Sequence, residues 1–223
     1  MHKHIFLLPA VLAATLSFTA CSNAPKGDNA AITDAQKPGS TATGQSFVVD
    51  TGSSRVKFIG YGIGKNHPGN FHLSSGIVAV DGNRVSGGEF VININSMEME
   101  QKEAMFQSKL RPHLLSGDFF DAAKFGTAKF VITKVEAYAG DGKDTSIVAG
   151  ANFSVSGNLT LKGDTKNVTF PAKIDLDENT LKAKGNFNID RRQWQMAYGN
   201  DKTLGDKFIS ETVNIKLDLE AKK

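Results

Sequence analysis

From Val213 to Glu220 the chain alternates without a break: Val213, Ile215, Leu217 and Leu219 are apolar, Asn214, Lys216, Asp218 and Glu220 polar. A period of two places the apolar side chains on one face of a β-strand and the polar ones on the other, so one face is buried and one is wet. The same pattern runs through Phe153, Val155, Leu159 and Leu161, through Val168, Phe170, Ala172, Ile174 and Leu176, and through Leu181, Ala183, Phe187 and Ile189. Residues 56–59, 71–80, 85–94 and 130–135 are strand-like with less regular alternation. Turn-forming clusters separate the runs: DGN at 81–83, GDGK at 140–143, KGDTKN at 162–167 and DEN at 177–179.

Gly157 and Gly185 fall inside clean strand patterns, and Gly87-Gly88 interrupt a third. In a flat sheet they would only weaken it, whereas a sheet that curls and closes needs such kinks. Consecutive strands, short turns and one wet face predict an all-β fold, an antiparallel up-and-down barrel of about eight strands rather than a sandwich. One short helix is expected near 99–115, a stretch rich in Glu, Gln, Lys, Met, Ala and Leu, broken near Pro112.

The N-terminal region reads differently. Lys3, the apolar run IFLLPAVLAATLSF and small residues before Cys21 make residues 1–20 a secretory signal. Pro9 and the short apolar length argue for cleavage rather than a membrane span. The one cysteine, Cys21, follows Phe18-Thr19-Ala20 in an arrangement that resembles a bacterial lipobox, where the thiol is diacylated and becomes the mature N-terminus. A single thiol committed to lipid leaves neither disulfide nor thiolate chemistry. Residues 21–46, with Ile32 as their single large apolar side chain before Ser46, are expected to be the acylated N-terminus and a disordered tether. Residues 47–223 are then one domain, large enough to bury a core. The formal charge is +3, or +2 once Lys3 leaves with the signal, and no basic run suggests a nucleic-acid partner.

The usual chemical motifs are missing. There is no G-x-S-x-G elbow, and GYGIGK at 60–65 fits neither a dinucleotide fingerprint nor a phosphate loop, so it reads as a loop. His67, His72 and His113 lack H-x-H or H-E-x-x-H spacing, which leaves no metal expected. Glu98 with Glu100, and Asp118 with Asp121, are pairs of acids of the kind that usually form a solvated face or a cap. The densest cluster is HLLSGDFFDAAKF at 113–125. His113 and Asp118 there are candidates for a general base and acid. Alternatively they tie a loop together, with Ser116 or Asp118 capping backbone donors, while Phe119, Phe120 and Phe125 pack into a barrel end. No nucleophile or oxyanion element accompanies the histidine, which favours packing.

HLLSGDFFDAAKF resembles the H-L-x-S-x-x-F-F-D signature of the YceI-like family. Further stretches fall in the family's order around it: VDTGSSRVKFIGYGIG and NFHLSSGIVAVDGNRVSGGEFVINI upstream, then VSGNLTLKGDTKNVTFPAKI and NFNIDRRQWQMAYG. Many members carry an Arg-Asp pair before the motif histidine; here Lys109-Leu110-Arg111-Pro112 stand there. The resemblance implies a lipocalin-like barrel, exported from bacteria, that holds a polyisoprenoid lipid of the quinone or prenyl phosphate class in an apolar tunnel, with no catalytic cofactor. His113, Leu114, Phe119, Phe120 and Phe125 would form the lip and end wall. Phe90, Phe153, Phe170, Phe187 and Trp194 would line the interior, and Arg191 and Arg192 would meet an anionic head group, for which a planar guanidinium is well suited. Independently, fifteen Phe against three Tyr and one Trp mean that most aromatic surface has no polar handle, as suits a dry cavity. The expected partners are the isoprenoid and the membrane reached through acylated Cys21, with a homodimer as a further candidate. The expected location is the bacterial envelope, on the outer membrane facing the periplasm. Two other readings stay open: a lipid head-group enzyme using His113 and Asp118, and a structural barrel filled by its own side chains.

Overall fold

The computed structural model describes residues 26–38, 43–140 and 146–223; the expected signal, Cys21 and most of the GDGK turn lie outside the described residues. The strands are β1 Asp28–Asn29, β2 Ala31–Asp34, β3 Gln45–Val49, β4 Arg55–Gly62, β5 Lys65–Asp81, β6 Arg84–Met99, β7 Thr127–Ala137, β8 Phe153–Leu161, β9 Asp164–Leu176, β10 Thr180–Asp190 and β11 Thr212–Lys222. From β5 to β11 each strand pairs antiparallel with the next, and both β3 and β4 pair with β5 on one edge and β11 on the other. Those two short strands therefore act as one stave, and the sheet closes as an antiparallel barrel of eight staves. Closure removes free sheet edges except where β9 and β10 diverge beyond Gly185↔Ala172.

The period-two runs decide the inside and the outside. Val213, Ile215, Leu217, Leu219 and Ala221 of β11 point inward, as do Leu181, Ala183, Gly185, Phe187 and Ile189 of β10 and Val168, Phe170, Ala172 and Ile174 of β9. Gly157 and Gly185 have a sharper role than curvature alone. A Cβ on Gly157 would lie 2.2 Å from the Phe130 ring and one on Gly185 3.3 Å from the Phe170 ring, so each glycine makes room for an inward phenylalanine. The DGN signal is the β5–β6 turn, with Gly82 at φ 60° and Asp81 opposite Arg84. KGDTKN is narrower than expected: only Lys162 and Gly163 turn, both at positive φ, and β9 starts at Asp164.

Two expectations need correction. Met99 ends β6, so the helix starts later; it then runs through Pro112 as a π-helical turn over Phe106–Leu110 followed by α1, Arg111–Leu115. Proline lacks an N–H and crowds the carbonyl four residues back, but it sits in the first turn of α1, and the Arg111 N–H donates to the Phe106 carbonyl in the wider i→i+5 pattern. The helix is widened rather than broken.

The second correction concerns residues 21–46. Residues 28–34 are not a tether: β1 lies parallel on β10 and β2 antiparallel on β9, and Ala30 and Ile32 pack against the core. β3 likewise starts at Gln45, ahead of the Phe47 boundary. Two inward apolar residues in a polar context are too few to stand out as a strand, yet the open edges of β9 and β10 supply the backbone partners.

Candidate functional site

The barrel interior is an apolar cavity of about 580 Å³, within the range of roughly 300–1,000 Å³ typical of pockets for small amphiphiles. Two strings of rings cross its wall. Phe90, Phe130, Phe170 and Phe187 follow one another at centroid separations of 6.3, 6.1 and 4.0 Å, the last pair stacked at 15°. Phe58, Phe71 and Phe120 make the second, at 5.1 and 5.4 Å. Between them the inward Leu159, Leu161, Ala183, Val213, Ile215, Leu217 and Leu219 are only half-buried although the barrel wall around them is closed. Their exposed surface faces the cavity.

Three segments surround one end of this cavity. The β4–β5 hairpin tip carries Ile63 and Gly64 at positive φ, and this is where GYGIGK falls. The loop at 195–211 is tied to it by the Ile63 N–H to the Phe208 carbonyl and the Ser210 N–H to the Tyr61 carbonyl. The third segment is α1 with the loop that follows. That loop is a dense hydrogen-bonded knot: the Ser116 hydroxyl donates to the His113 carbonyl at 2.8 Å, the Phe120 and Asp121 N–H groups donate to the Leu114 and Ser116 carbonyls, and the Lys162 ammonium donates to the Gly117 carbonyl at 2.7 Å. Asp121 takes a positive φ of 47° to complete it.

His113 sits at the centre of the lip. Its Nε2 lies 2.9 Å from Asp118 Oδ2, and its ring meets Phe119 and Tyr198 edge-on at 5.2 and 4.8 Å. The imidazole and carboxylate side chains are 35% and 51% exposed, so the pair contributes at most about 1 kcal/mol to stability. Its geometric effect is larger, because it holds the ring against Tyr198 and joins the lip to the loop at 195–211.

Arg191 is the chief organiser of that loop. It is 3% exposed, and its Nε donates to the Ser210 carbonyl at 2.8 Å, its Nη2 to the Tyr198 and Ile209 carbonyls at 2.9 Å each, and its Nη1 to the Met196 carbonyl. Burial pulls the guanidinium below the ordinary arginine value, with Asp190 and Glu211 opposing, but arginine keeps its charge in proteins. Its Cζ lies 5.6 Å from the Phe119 centroid, linking the loop to the lip. Arg192 points away and forks onto Asp190 at 2.6 Å. Burial pushes the Asp190 carboxyl up, but the hydrogen bonds from the Arg192 side chain and backbone N–H, with both arginine charges, outweigh it and hold the carboxyl below its usual range.

The structure therefore sorts the expected site residues. His113, Leu114, Phe119, Phe120, Phe90, Phe170, Phe187 and Arg191 line the cavity. Phe125, Phe153, Trp194 and Arg192 do not. Phe125 covers the Lys162-Gly163 turn, where a Gly163 Cβ would lie 2.9 Å from its ring, and so buttresses the lip from behind. Phe153 has inward parity at the start of β8 and packs on the core without lining the cavity, although its cross-strand partner Ala172 does line it. Trp194 is fully buried, with its indole N–H donating to the Leu159 carbonyl at 3.1 Å. Arg192 is satisfied by Asp190, and most donors of Arg191 are taken by backbone, so neither has the free fork expected for an anionic head group. The residues missed are Phe58, Phe71 and Phe130 in the wall and Tyr61, Ile63, His67, Tyr198 and Ile209 at the mouth. Strand parity points to the first three; Ile63, Tyr198 and Ile209 sit on turns and loops, where parity says nothing, and Tyr61 and His67 lie at the hairpin ends of β4 and β5, beyond the apolar alternation. Among the described residues no group of three or more His, Cys, Asp and Glu gathers for a metal.

A closed antiparallel barrel with a phenylalanine-lined cavity and a knotted lip at one end is the architecture of a protein that encloses an apolar ligand. The YceI-like domain family matches residues 47–221, and the chain belongs to that family. A UPF0312 protein of Vibrio vulnificus is 32% identical over 139 residues, 60% of this chain and 65% of the relative, and one of Shewanella denitrificans is 33% identical over 132 residues, 56% and 60%. The match thus spans less than two thirds of the length of these curated relatives. Among solved structures, Burkholderia cenocepacia BcnA superimposes with a TM-score of 0.60 at 23% identity, covering 78% of this chain and 99% of BcnA. A polyisoprenoid-binding domain of Saccharophagus degradans gives 0.57 at 18% identity, covering 79% and 97%. Both show the same fold.

Proposed function

We propose that this protein binds a long-chain polyisoprenoid or similar amphiphilic lipid in the barrel, as an envelope lipoprotein that carries, stores or sequesters it rather than transforming it. One observation carries the reading: inward aliphatic side chains remain half-exposed inside a closed wall, around a cavity of about 580 Å³. A self-filled core would bury them. The name of the Saccharophagus degradans neighbour supports the ligand class. Each buried tail carbon contributes roughly 0.8 kcal/mol before ordering costs are charged, so affinity is readily reached and release is the harder step. The segments around the mouth carry exposed Ile63, Tyr198 and Leu204, apolar groups of the kind that meet a membrane during hand-over. With most donors of both arginines committed to the protein itself, the mouth's polar lining is made by the imidazoles of His67 and His113, the phenols of Tyr61 and Tyr198, the Ser210 hydroxyl and the Lys207 ammonium, a set that can meet a quinone carbonyl or a prenyl phosphate.

Anchoring through an acylated Cys21, in the outer membrane facing the periplasm, belongs to the same proposal and rests on the sequence before residue 26. Organic extraction of the purified protein followed by mass spectrometry tests the ligand: a stoichiometric isoprenoid is expected, and an extract without lipid, from protein that also fails to take up a long-tailed quinone, refutes the reading. The 2.9 Å His113–Asp118 contact favours a second reading, acid–base chemistry on a head group at the mouth. It requires pH-dependent turnover that disappears in His113→Ala.

A further inference from the structure

The barrel wall is uneven. β10 and β11 pair residue by residue from Thr180↔Lys222 to Asp190↔Thr212, and β8 and β9 from Phe153↔Ala172 to Leu161↔Asp164. β9 and β10 pair directly only from Leu181↔Leu176 to Gly185↔Ala172. Beyond that point they diverge, and residues 28–34 occupy the wedge, first against Phe187 and Asn188 of β10, then from Thr169 to Lys166 of β9. Just inside this seam stand Val168, Phe170, Phe187 and Ile189, all of which line the cavity.

We infer that the segment from Gly27 to Gln36 is a detachable stave, and that the seam it closes is a lateral portal through which the ligand's tail enters and leaves the barrel. The segment's hold is mostly polar and superficial. Asp28 accepts from the Ser146 hydroxyl at 2.6 Å and the Ile147 N–H at 3.1 Å, Asn158 exchanges hydrogen bonds with the Gln36 backbone, and Lys166 meets the exposed Asp34 at 2.9 Å. Ala30 and Ile32 are its apolar anchors, against the continuous apolar faces of the other staves. A strand held by so little buried apolar surface belongs to the part of a fold that opens locally.

The outer face beneath Gly27 also works against tight closure. Asn214 faces outward on β11 yet is fully buried; its Nδ2 donates to Asn186 Oδ1, Asn188 Oδ1 and the Phe187 carbonyl, while its Oδ1 has no partner among the described residues. A Cβ on Gly27 would lie 2.4 Å from that Nδ2, so only glycine passes here. A buried acceptor without a donor is costly. Lifting the segment returns the Asn214 oxygen to water, which offsets part of the free energy of detaching the strand.

The portal rests on the lipid-binding reading and gives the N-terminal segment a place in it. Gly27 lies six positions along the chain from Cys21, a reach of at most about 20 Å for extended chain. An acyl chain on Cys21 would therefore hold the seam close to the membrane from which an isoprenoid tail would come.

The test locks the stave. Ala31 and Thr169 are Cα partners on adjacent antiparallel strands, and cross-strand separations of about 4.5–5.5 Å suit a disulfide. In the full-length chain with Cys21→Ser, the pair Ala31→Cys and Thr169→Cys is the whole thiol content, so oxidised and reduced forms differ in the lock alone. Uptake of a long-tailed isoprenoid quinone from phosphatidylcholine vesicles should slow by about tenfold or more on oxidation and recover on reduction, with equilibrium occupancy unchanged. In the unlocked protein, backbone amides of Ala31–Asp34 should exchange with solvent at least about tenfold faster than those of the β10–β11 ladder. Uptake at the same rate in both forms, or amide protection as strong as the ladder's, overturns the portal and leaves lipid binding intact. Absence of quinone binding in either form overturns both.

Discussion

Substituting Ile215 by tryptophan separates an enclosed binding cavity from a barrel filled by its own side chains. Ile215 lies midway along β11, opposite Phe58 on one side and Phe187 on the other, half-buried and facing the cavity. In a filled core the larger side chain would cost about 1–3 kcal/mol in strain, and at roughly 2–4 °C per kcal/mol for a domain of this size the melting temperature would fall by about 2–12 °C. In a cavity of about 580 Å³ the indole finds room and covers apolar wall, so the lipid-free variant should melt within about 2 °C of the parent. The penalty then moves to the ligand. If the ring displaces about three tail carbons at about 0.8 kcal/mol each, binding weakens by about 2.4 kcal/mol, or about 50-fold. Circular dichroism of delipidated protein gives the first quantity, and quenching of the new indole by a long-tailed quinone gives the second. A melting temperature lower by about 10 °C would mean that the interior is already full. Unchanged affinity in a stable variant would place the tail elsewhere.

Arg191→Ala strips donors from four carbonyls of the loop at 195–211 and should cost about 3 kcal/mol or more by denaturant unfolding, whereas Arg192→Ala, at an exposed ion pair, should stay within about 1 kcal/mol. A chain starting at Ser46 should still unfold cooperatively but with lower stability, by about 2 kcal/mol for the loss of Ile32 and Ala30 from the seam; equal stability would mean that the segment does not close the wall. Asp190 is depressed in the folded protein, so its contribution is present above the unfolded value near 3.9 and is lost as pH falls through the lower folded one. Asp190→Asn should accordingly reduce stability at neutral pH and flatten the acid limb below about pH 4, and an unaltered limb would exclude that carboxylate as a contributor. Cys21→Ser should release the protein from the membrane fraction or leave it as precursor; a processed protein still on the membrane would refute lipid anchoring.

The staves were legible because a wall with one apolar and one wet face writes itself as a period of two, and β8 to β11 do so almost without exception. Parity also marks which phenylalanines face inward. It cannot say which inward rings reach the space and which are covered by their neighbours, so Phe153 and Phe187 look equivalent in sequence although only Phe187 lines the space. The arginines misled for a different reason. A guanidinium fork fits backbone carbonyls as well as phosphate oxygens, and what decides between them is whether a loop folds back over it, as 195–211 does over Arg191. That choice is tertiary and leaves no local signal.

The N-terminal segment was illegible for the complementary reason. Its strand character resides in its partners: β9 and β10 diverge, and outward positions that would normally carry charge hold Asn158, Asn167, Asn188 and Asn214 instead. Asparagine carries a donor and an acceptor on one side chain, so it can bind backbone on its outer side, as Asn158 does with both the N–H and the carbonyl of Gln36. Uncharged amides on the wet face of a barrel are thus the trace left by a covering strand. Replacing Asn158 by Asp tests this directly, because a carboxylate keeps the bond from the Gln36 N–H but faces the Gln36 carbonyl with an acceptor. Faster exchange confined to the amides of residues 31–36, with the β10–β11 ladder unchanged, is the expected result. Unchanged exchange at 31–36 would mean that the amide does not hold the strand, and faster exchange throughout the barrel would mean that Asn158 supports the wall itself.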